Sequence, residues 1–320
     1  MSNAHEDMGR REVLLRLSSA GLALAGAGTG VLFFANRRAS AASGGALRDW
    51  RASALKALPV VAAHGPDPVA NVRCALGALG GMEKFVKPGE TVLVKPNVGW
   101  DRLPEQGANT DPRVVAELVR QARAAGAKRV VVADISCNDP RRCFARSGIR
   151  AAAEEAGATV EDGSVLERVA LSLPGAAAGL ELIKPILEAD RVINVPVVKH
   201  HGLSRATLGM KNWMGVFGAG RNRLHQDIDR SLAELCALFR PTLTVVDATR
   251  VLMQNGPQGG SLSDVKAVQA VAAGLDPVLC DAWGAARLGL DPRSLGFVAA
   301  AEKAGLGSAD LAQVRELSPT

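Results

Sequence analysis

Four apolar runs in this chain end in polar residues, and segments with helical periodicity separate them. The runs finish at Lys95-Pro96-Asn97, Asp134, Lys199-His200-His201 and Asp247. A run with no polar alternation belongs to a strand covered on both faces, and parallel pairing needs a long crossover, usually a helix. The pattern therefore predicts an α/β fold, with a mainly parallel sheet and helices on both faces. In open sheets of this kind, ligands sit at the carboxyl ends of the strands. The four polar ends are thus expected to converge on one edge of the sheet.

Strands are expected at Pro59–Ala63, Thr91–Asn97, Arg129–Asp134, Arg191–Val198, Thr242–Asp247 and Val265–Ala273. Helices are expected at Asp67–Phe85, from Asp111-Pro112 to Ala125, and at Arg141–Ala156, Ile228–Phe239, Pro277–Leu288 and 293–304. Asp-Pro at a helix start and Gly at its end are the usual terminal signals. Residues 157–190 are less regular, with a strand signal at Arg168–Leu173. The α/β domain is expected over 59–310, either as one body or as lobes 59–190 and 191–310 around a cleft, with 42–58 as a linker.

The segment after Val198 reads as a two-faced helix. At 100° per residue, His201, Ser204, Arg205, Lys211 and Asn212 share an arc about 120° wide, opposite Leu203, Thr207, Met210, Met214 and Phe217. Gly202, Gly209 and Gly215 oppose that reading by about 1 kcal/mol each.

Of 320 residues, 48% are hydrophobic and 22% charged, which supplies a sizeable core. Aromatic residues make up 3%, with no Tyr, so stacking platforms for single-stranded nucleic acid are lacking. The net charge is +6; five arginines against three acids in residues 1–41 account for +2 and leave +4 for the rest. Without a dense basic stripe, no nucleic-acid partner is expected.

Gly9-Arg10-Arg11-Glu12-Val13-Leu14-Leu15-Arg16 resembles a twin-arginine export signal, and a mildly apolar, uncharged run Leu17–Asn36 follows. Ala39-Ser40-Ala41 offers a small-residue cleavage pattern. Residues 1–41 are accordingly expected to be an export signal or an N-terminal anchor. The implied partner is the twin-arginine translocation machinery, and the implied location is the periplasm or the outer face of the cytoplasmic membrane. Membrane contact would come only through 1–41, if they are not cleaved. Cys74, Cys137, Cys143, Cys236 and Cys280 form no CxxC, so no iron–sulfur cluster is expected and the cofactor stays open. Cys137 and Cys143 suit a disulfide in an oxidising compartment, or, like the others, serve as small apolar residues.

At the polar edge, Lys95 and Lys199 offer point charges to a carboxylate or phosphate, and Asn97 and Asn109 offer amides. Asn109-Thr110-Asp111-Pro112 opens a helix whose free N–H groups favour an anion. Asp134, Asn212 and Asp247 complete the expected substrate-binding set. His200 and His201 alternate across a strand, so they make a poor metal pair; either one alone is a possible metal ligand. His201 and Lys211 are the acid–base candidates, Lys211 with its basicity lowered by burial. Met210 and Met214 read as core, and Arg221–Asp227 as a solvated loop rather than a lid.

In order, Val94-Lys95-Pro96-Asn97, Asn109-Thr110-Asp111-Pro112, Gly126-Ala127-Lys128-Arg129-Val130, Asp134, Val198-Lys199-His200-His201 and Met210-Lys211-Asn212 resemble the DUF362 family, over about residues 57–290. That is a group of prokaryotic proteins of unknown function. The resemblance implies a Lys-x-His element after the central strand and a Lys-Asn pair about ten residues on, which makes His201 the counterpart of the family's imidazole. Some relatives carry a ferredoxin-like cluster module; this chain has none. The nickel-pincer lactate racemases offer a fold-level analogy only. Two functional readings follow. One is an exported enzyme that binds a small anionic substrate, such as a 2-hydroxy or amino acid, and moves a proton through His201 or Lys211. The other is a non-catalytic protein that holds a small anion or a metallo-cofactor.

Overall fold

The structure is a computed structural model, and it describes residues 47–51 and 58–319. Residues 1–41, expected to be an export signal or an N-terminal anchor, and most of the expected linker lie outside the described residues. The described residues form one compact unit. Among the described residues, no helix is long and apolar enough to cross a membrane.

The strands are β1 (Val60–His64), β2 (Thr91–Pro96), β3 (Arg129–Asp134), β4 (Thr159–Asp162), β5 (Arg168–Ala170), β6 (Glu181–Ile183), β7 (Arg191–Val195), β8 (Val197–His201), β9 (Arg205–Thr207), β10 (Leu243–Leu252), β11 (Val265–Gly274) and β12 (Val314–Leu317). The main sheet runs β12-β1-β11-β10-β7-β2-β3-β4, with the β8–β9 hairpin attached to β10. From β4 to β10 every neighbour is parallel; β11 alone is antiparallel to both of its partners. Strands from residues 59–190 and 191–310 interleave in this one sheet, since β7 lies beside β2 and β11 beside β1.

The helices are α1 (Pro68–Ala78), α2 (Pro112–Ala124), α3 (Pro140–Arg146), α4 (Ile149–Glu155), α5 (Lys184–Glu188), α6 (Gly209–Asn212), α7 (Ile228–Leu238), α8 (Pro277–Arg287) and α9 (Gly296–Lys303). Alternate strand residues feed two cores, as a doubly covered sheet requires. Val92, Val94, Val130 and Val132 pack with Val72, Leu118 and Ile149 on one face. Leu93, Val131, Ala133 and Val246 pack with Leu232, Trp283 and Phe297 on the other. Trp50, in the segment expected to be a linker, is buried in this second core, and its indole N–H donates to Ala189 O at 3.1 Å.

Several expected boundaries differ, each for a local reason. The single strand expected at Arg191–Val198 is two, because Pro196 has no N–H for the ladder. The helix expected at Arg141–Ala156 breaks at Gly148, which sits at φ 73 between α3 and α4. Thr242–Asp247 continues to Leu252, so Asp247 lies within β10 rather than at its end. The two-faced helix expected after Val198 is overturned: β8 turns back as β9, and only Gly209–Asn212 is α-helical. The turn between these strands is held by His201, whose Nδ1 accepts from the N–H groups of Leu203 and Ser204 at 3.1 and 3.3 Å.

Candidate functional site

The parallel strands bring their carboxyl ends together, and a cavity of about 540 Å³ opens there. Six of the expected site residues line it: Asn97, Asp134, Lys199, His201, Lys211 and Asn212. Lys95, Asn109, Thr110 and Asp247 do not. Lys95 lies directly behind the wall. Asn109 and Thr110 hold the loop after β2: Asn109 Oδ1 accepts from Trp100 N at 3.0 Å, and the Thr110 hydroxyl accepts from Asn97 N at 2.8 Å and donates to Val195 O at 2.8 Å. Asp247 accepts from the N–H groups of Asp111 and Thr249, and so anchors the start of α2 from below. Burial and the neighbouring Asp111 raise its pKa to about 6.

Three buried lysines differ in how far their three N–H donors are satisfied. Lys95 is wholly buried and saturated: Nζ donates to Asp134 Oδ1 at 2.6 Å, Pro96 O at 2.8 Å and Asn212 Oδ1 at 3.1 Å. Lys199 uses two donors, to Asn97 Oδ1 at 2.9 Å and Ala108 O at 2.5 Å, which leaves one. Lys211, 8% exposed, has no oxygen partner among the described residues; its amine lies 3.4 Å from Met214 Sδ and 3.4 Å from His225 Nε2. Burial is the main cause that lowers all three. Lys95 is held up by Asp134, whereas Lys199 falls to about 7 and Lys211 to about 8.

Asn212 knits the site together. Its Oδ1 accepts from Lys95 and from Asn97 Nδ2 at 3.1 Å, and its Nδ2 donates to Asn194 Oδ1 at 2.8 Å and Lys95 O at 3.2 Å. Asp134 Oδ2 accepts from Val98 N at 2.7 Å, so both of its oxygens are engaged. Lys95, Asp134 and Asn212 thus form a framework whose polar groups satisfy one another. It leaves Lys199, Lys211 and His201 with capacity for a ligand.

His201 and His200 face different ways, as strand alternation requires. His200 Nδ1 accepts from Gly256 N at 3.2 Å, and its ring is not part of the cavity wall. His201 lines the cavity, and desolvation together with Lys211 and Lys199 lowers its pKa to about 3. The ring is therefore neutral at ordinary pH. With Nδ1 accepting from two backbone N–H groups, the ring proton sits on Nε2.

Arg221, His225 and Cys137 also line the cavity, although the sequence alone favours a solvated loop over a lid at Arg221–Asp227 and casts Cys137 only as a disulfide partner or a small apolar residue. The solvated loop expected at 221–227 is a 3-10 turn, Arg221–His225, anchored by buried Leu224. The Arg221 guanidinium donates to Ile135 O at 2.9 Å and Ser136 O at 3.1 Å, and so staples this turn to the end of β3. His225 stacks over His201 with ring centroids 6.3 Å apart. The glycines at 218 and 220 were the available signal, marking a chain turning over the strand ends. The five cysteines are free, so the Cys137–Cys143 disulfide is not formed; Cys137 is exposed and Cys143 buried. Among the described residues, no three His, Cys, Asp or Glu side chains gather as a metal site.

The helix that presents Lys211 and Asn212 has a buried anchor. Asp281, on α8, accepts from Gly209 N at 2.6 Å and Met210 N at 3.0 Å. Burial raises Asp281 to about 7 against the pull of those two N–H groups. A folded pKa above the ordinary 3.8 means that the native state keeps a proton which the unfolded chain releases between those values. Stability through Asp281 therefore falls as pH rises across that window. Asp281→Ala is expected to cost about 3 kcal/mol through two orphaned N–H groups, and to flatten the acid side of the stability–pH curve. Urea unfolding between about pH 4 and about pH 8 measures both.

The fold and site define a class: an α/β protein with a cation-lined cavity at the carboxyl ends of its parallel strands. Within that class the chain belongs to the family described as a domain of unknown function, DUF362, whose model matches residues 92–286. The match runs from β2 to α8 and so contains every cavity-lining residue named above. The chain is also similar to thylakoid-associated protein sll1697 of Synechocystis sp., at 29% identity over 255 residues, which is 74% of this chain and 75% of that protein.

Proposed function

We propose that the cavity binds a small organic anion and that the protein is an enzyme acting on it by proton transfer. The observation that supports this most is the charge balance of the wall. Asp134, its one acid among the described residues, is spent on Lys95 and Val98 N, while Lys199 and Lys211 have no carboxylate partner there. A carboxylate or phosphate entering the cavity supplies the missing counter-charge. Lys199 offers its remaining N–H to the anion, and Asn97 one amide hydrogen. His201, neutral and protonated on Nε2, donates a hydrogen bond to a substrate oxygen where charge develops. Lys211, basic near neutral pH, takes or returns the proton.

Screening purified protein over 2-hydroxy acids, amino acids and phosphate esters, with and without divalent metals, tests this. Lys211→Met is expected to lower kcat by about 10²–10⁴-fold while the anion still binds. His201→Gln, which keeps a donor, is expected to lose less. A substrate turned over equally by wild type and Lys211→Met would remove the proton-transfer reading. Anion binding without turnover would leave a binding protein.

We further infer that the protein works outside the cytoplasm, at or near a membrane surface. Arg10-Arg11 in its twin-arginine-like context supports export, and the similar Synechocystis protein carries the name thylakoid-associated. Fractionation of the full chain against Arg10→Lys/Arg11→Lys tests this. Retention of the double variant inside cells, with wild type exported, is the expected result; equal distribution would rule the route out.

A further inference from the structure

Lys211 differs from the other two buried lysines because, among the described residues, nothing acidic and no oxygen holds its amine. Lys95 gives three hydrogen bonds to oxygens and Lys199 gives two. Lys211 faces a thioether and an imidazole nitrogen, each at 3.4 Å, on the wall of the cavity. A buried amine with no carboxylate or oxygen acceptor, held only by long contacts to a sulfur and an imidazole nitrogen and lying beside other cations, is readily deprotonated and then has a lone pair to offer. The neighbouring groups suit a carbonyl compound. Lys199 has a donor left for an anionic group, and His201, which lines the cavity with Nδ1 engaged by backbone N–H groups, keeps a neutral Nε2–H donor to offer to an oxygen.

We propose that Lys211 forms a Schiff base with a small carbonyl compound that bears an anionic group, such as a 2-oxo acid. The inference rests on the anion-binding reading of the same cavity and narrows its substrate class. The Lys211 nitrogen lone pair forms a bond to the carbonyl carbon, and the carbonyl π pair moves onto oxygen, held there by the hydrogen bond from His201 Nε2. One proton passes from nitrogen to that oxygen and gives a carbinolamine. The carbinolamine takes one proton from solvent and loses water, which leaves a protonated imine; no electrons enter or leave. The lowered basicity of Lys211, to about 8 through burial, keeps a useful fraction of the amine unprotonated. His201, lowered to about 3, stays a donor rather than becoming a competing cation.

The test treats the full chain with pyruvate or glyceraldehyde 3-phosphate and borohydride, which reduces an imine to a stable secondary amine, and then maps the adduct by peptide mass spectrometry. Lactate, which has the anion but no carbonyl, serves as a separate binding probe by thermal shift. The expected result is one adduct, on the peptide carrying Lys211, formed with the carboxylate or the phosphate compound and absent without borohydride. Lys211→Arg, which keeps charge and bulk, is expected to lose the adduct yet retain the thermal shift with lactate. A thermal shift with pyruvate and no adduct would overturn the Schiff base while leaving anion binding intact. Labelling at Lys199, or spread over exposed lysines, would also overturn it. No shift and no adduct with any probe would remove both readings.

Discussion

Lys95→Met is expected to destabilise the protein by about 3–5 kcal/mol, because it strands Asp134 as an unpaired buried charge. Asp134 is 2% exposed, and Lys95 is its ion-pair partner at 2.6 Å. The loss should not stop at stability. Lys95 also holds Asn212 Oδ1, and Asn212 in turn links β2, β7 and α6. Urea unfolding gives the size of the effect. The double variant Lys95→Met/Asp134→Leu is expected to recover part of it, since removing both charges of a buried pair leaves no uncompensated ion. A cost below about 1 kcal/mol for Lys95→Met would mean that the pair behaves like a surface salt bridge and does not frame the site.

Gly215→Ala is the second large effect. A Cβ at residue 215 would collide with Asp134 Oδ1 and lie 2.8 Å from Lys95 Nζ. Gly215 O also accepts from Ile135 N at 2.9 Å, so its backbone is tied to the end of β3 and has little room to retreat. One methyl group must therefore push apart the ion pair or the turn above it, at a cost of about 1–3 kcal/mol, and anion binding is expected to fall with it. Gly77→Ala is the matched control. Gly77 lies in α1, and a methyl group there would meet nothing within 4 Å. It should gain up to about 1 kcal/mol from helix propensity. Thermal melts and anion titrations on the two variants check the contrast, and equal behaviour would show that the backbone at 215 is not in close contact with the pair.

The parallel α/β architecture was legible because it is written in local patterns. Val92-Leu93-Val94, Val130-Val131-Val132 and Val192-Ile193 are continuous apolar runs, and several crossover helices begin with Asp-Pro or end near Gly. The convergence of strand ends followed from parallel pairing alone, which is why Asn97, Asp134, Lys199 and His201 were found from sequence. Which polar group meets which was not legible. Lys95 and Lys199 look alike in the chain, yet one faces Asp134 and is closed off while the other reaches the cavity. Asp247 looked like a strand end because the bulge after it, between Ala248 and Arg250, has no sequence marker as plain as Gly or Pro. The hairpin at His201–Arg205 was concealed by an accidental helical arc. There a histidine side chain, rather than the expected backbone periodicity, organises the turn. Arg221 and His225 arrive from a loop whose place over the site depends on Leu224 finding the core, a tertiary contact that no spacing announces.

The most direct test of the cavity as an anion site is a calorimetric titration of the full chain with oxalate at about pH 6 and about pH 9, on either side of the two cavity lysines. Lys199 and Lys211 titrate at about 7 and about 8, so both carry charge at the lower pH and lose it towards the higher. Binding is expected at the lower pH, at least about tenfold weaker binding at the higher, and none in Lys199→Met/Lys211→Met. Oxalate that fails to bind at the lower pH, or that binds the double variant as it does wild type, would contradict the assignment.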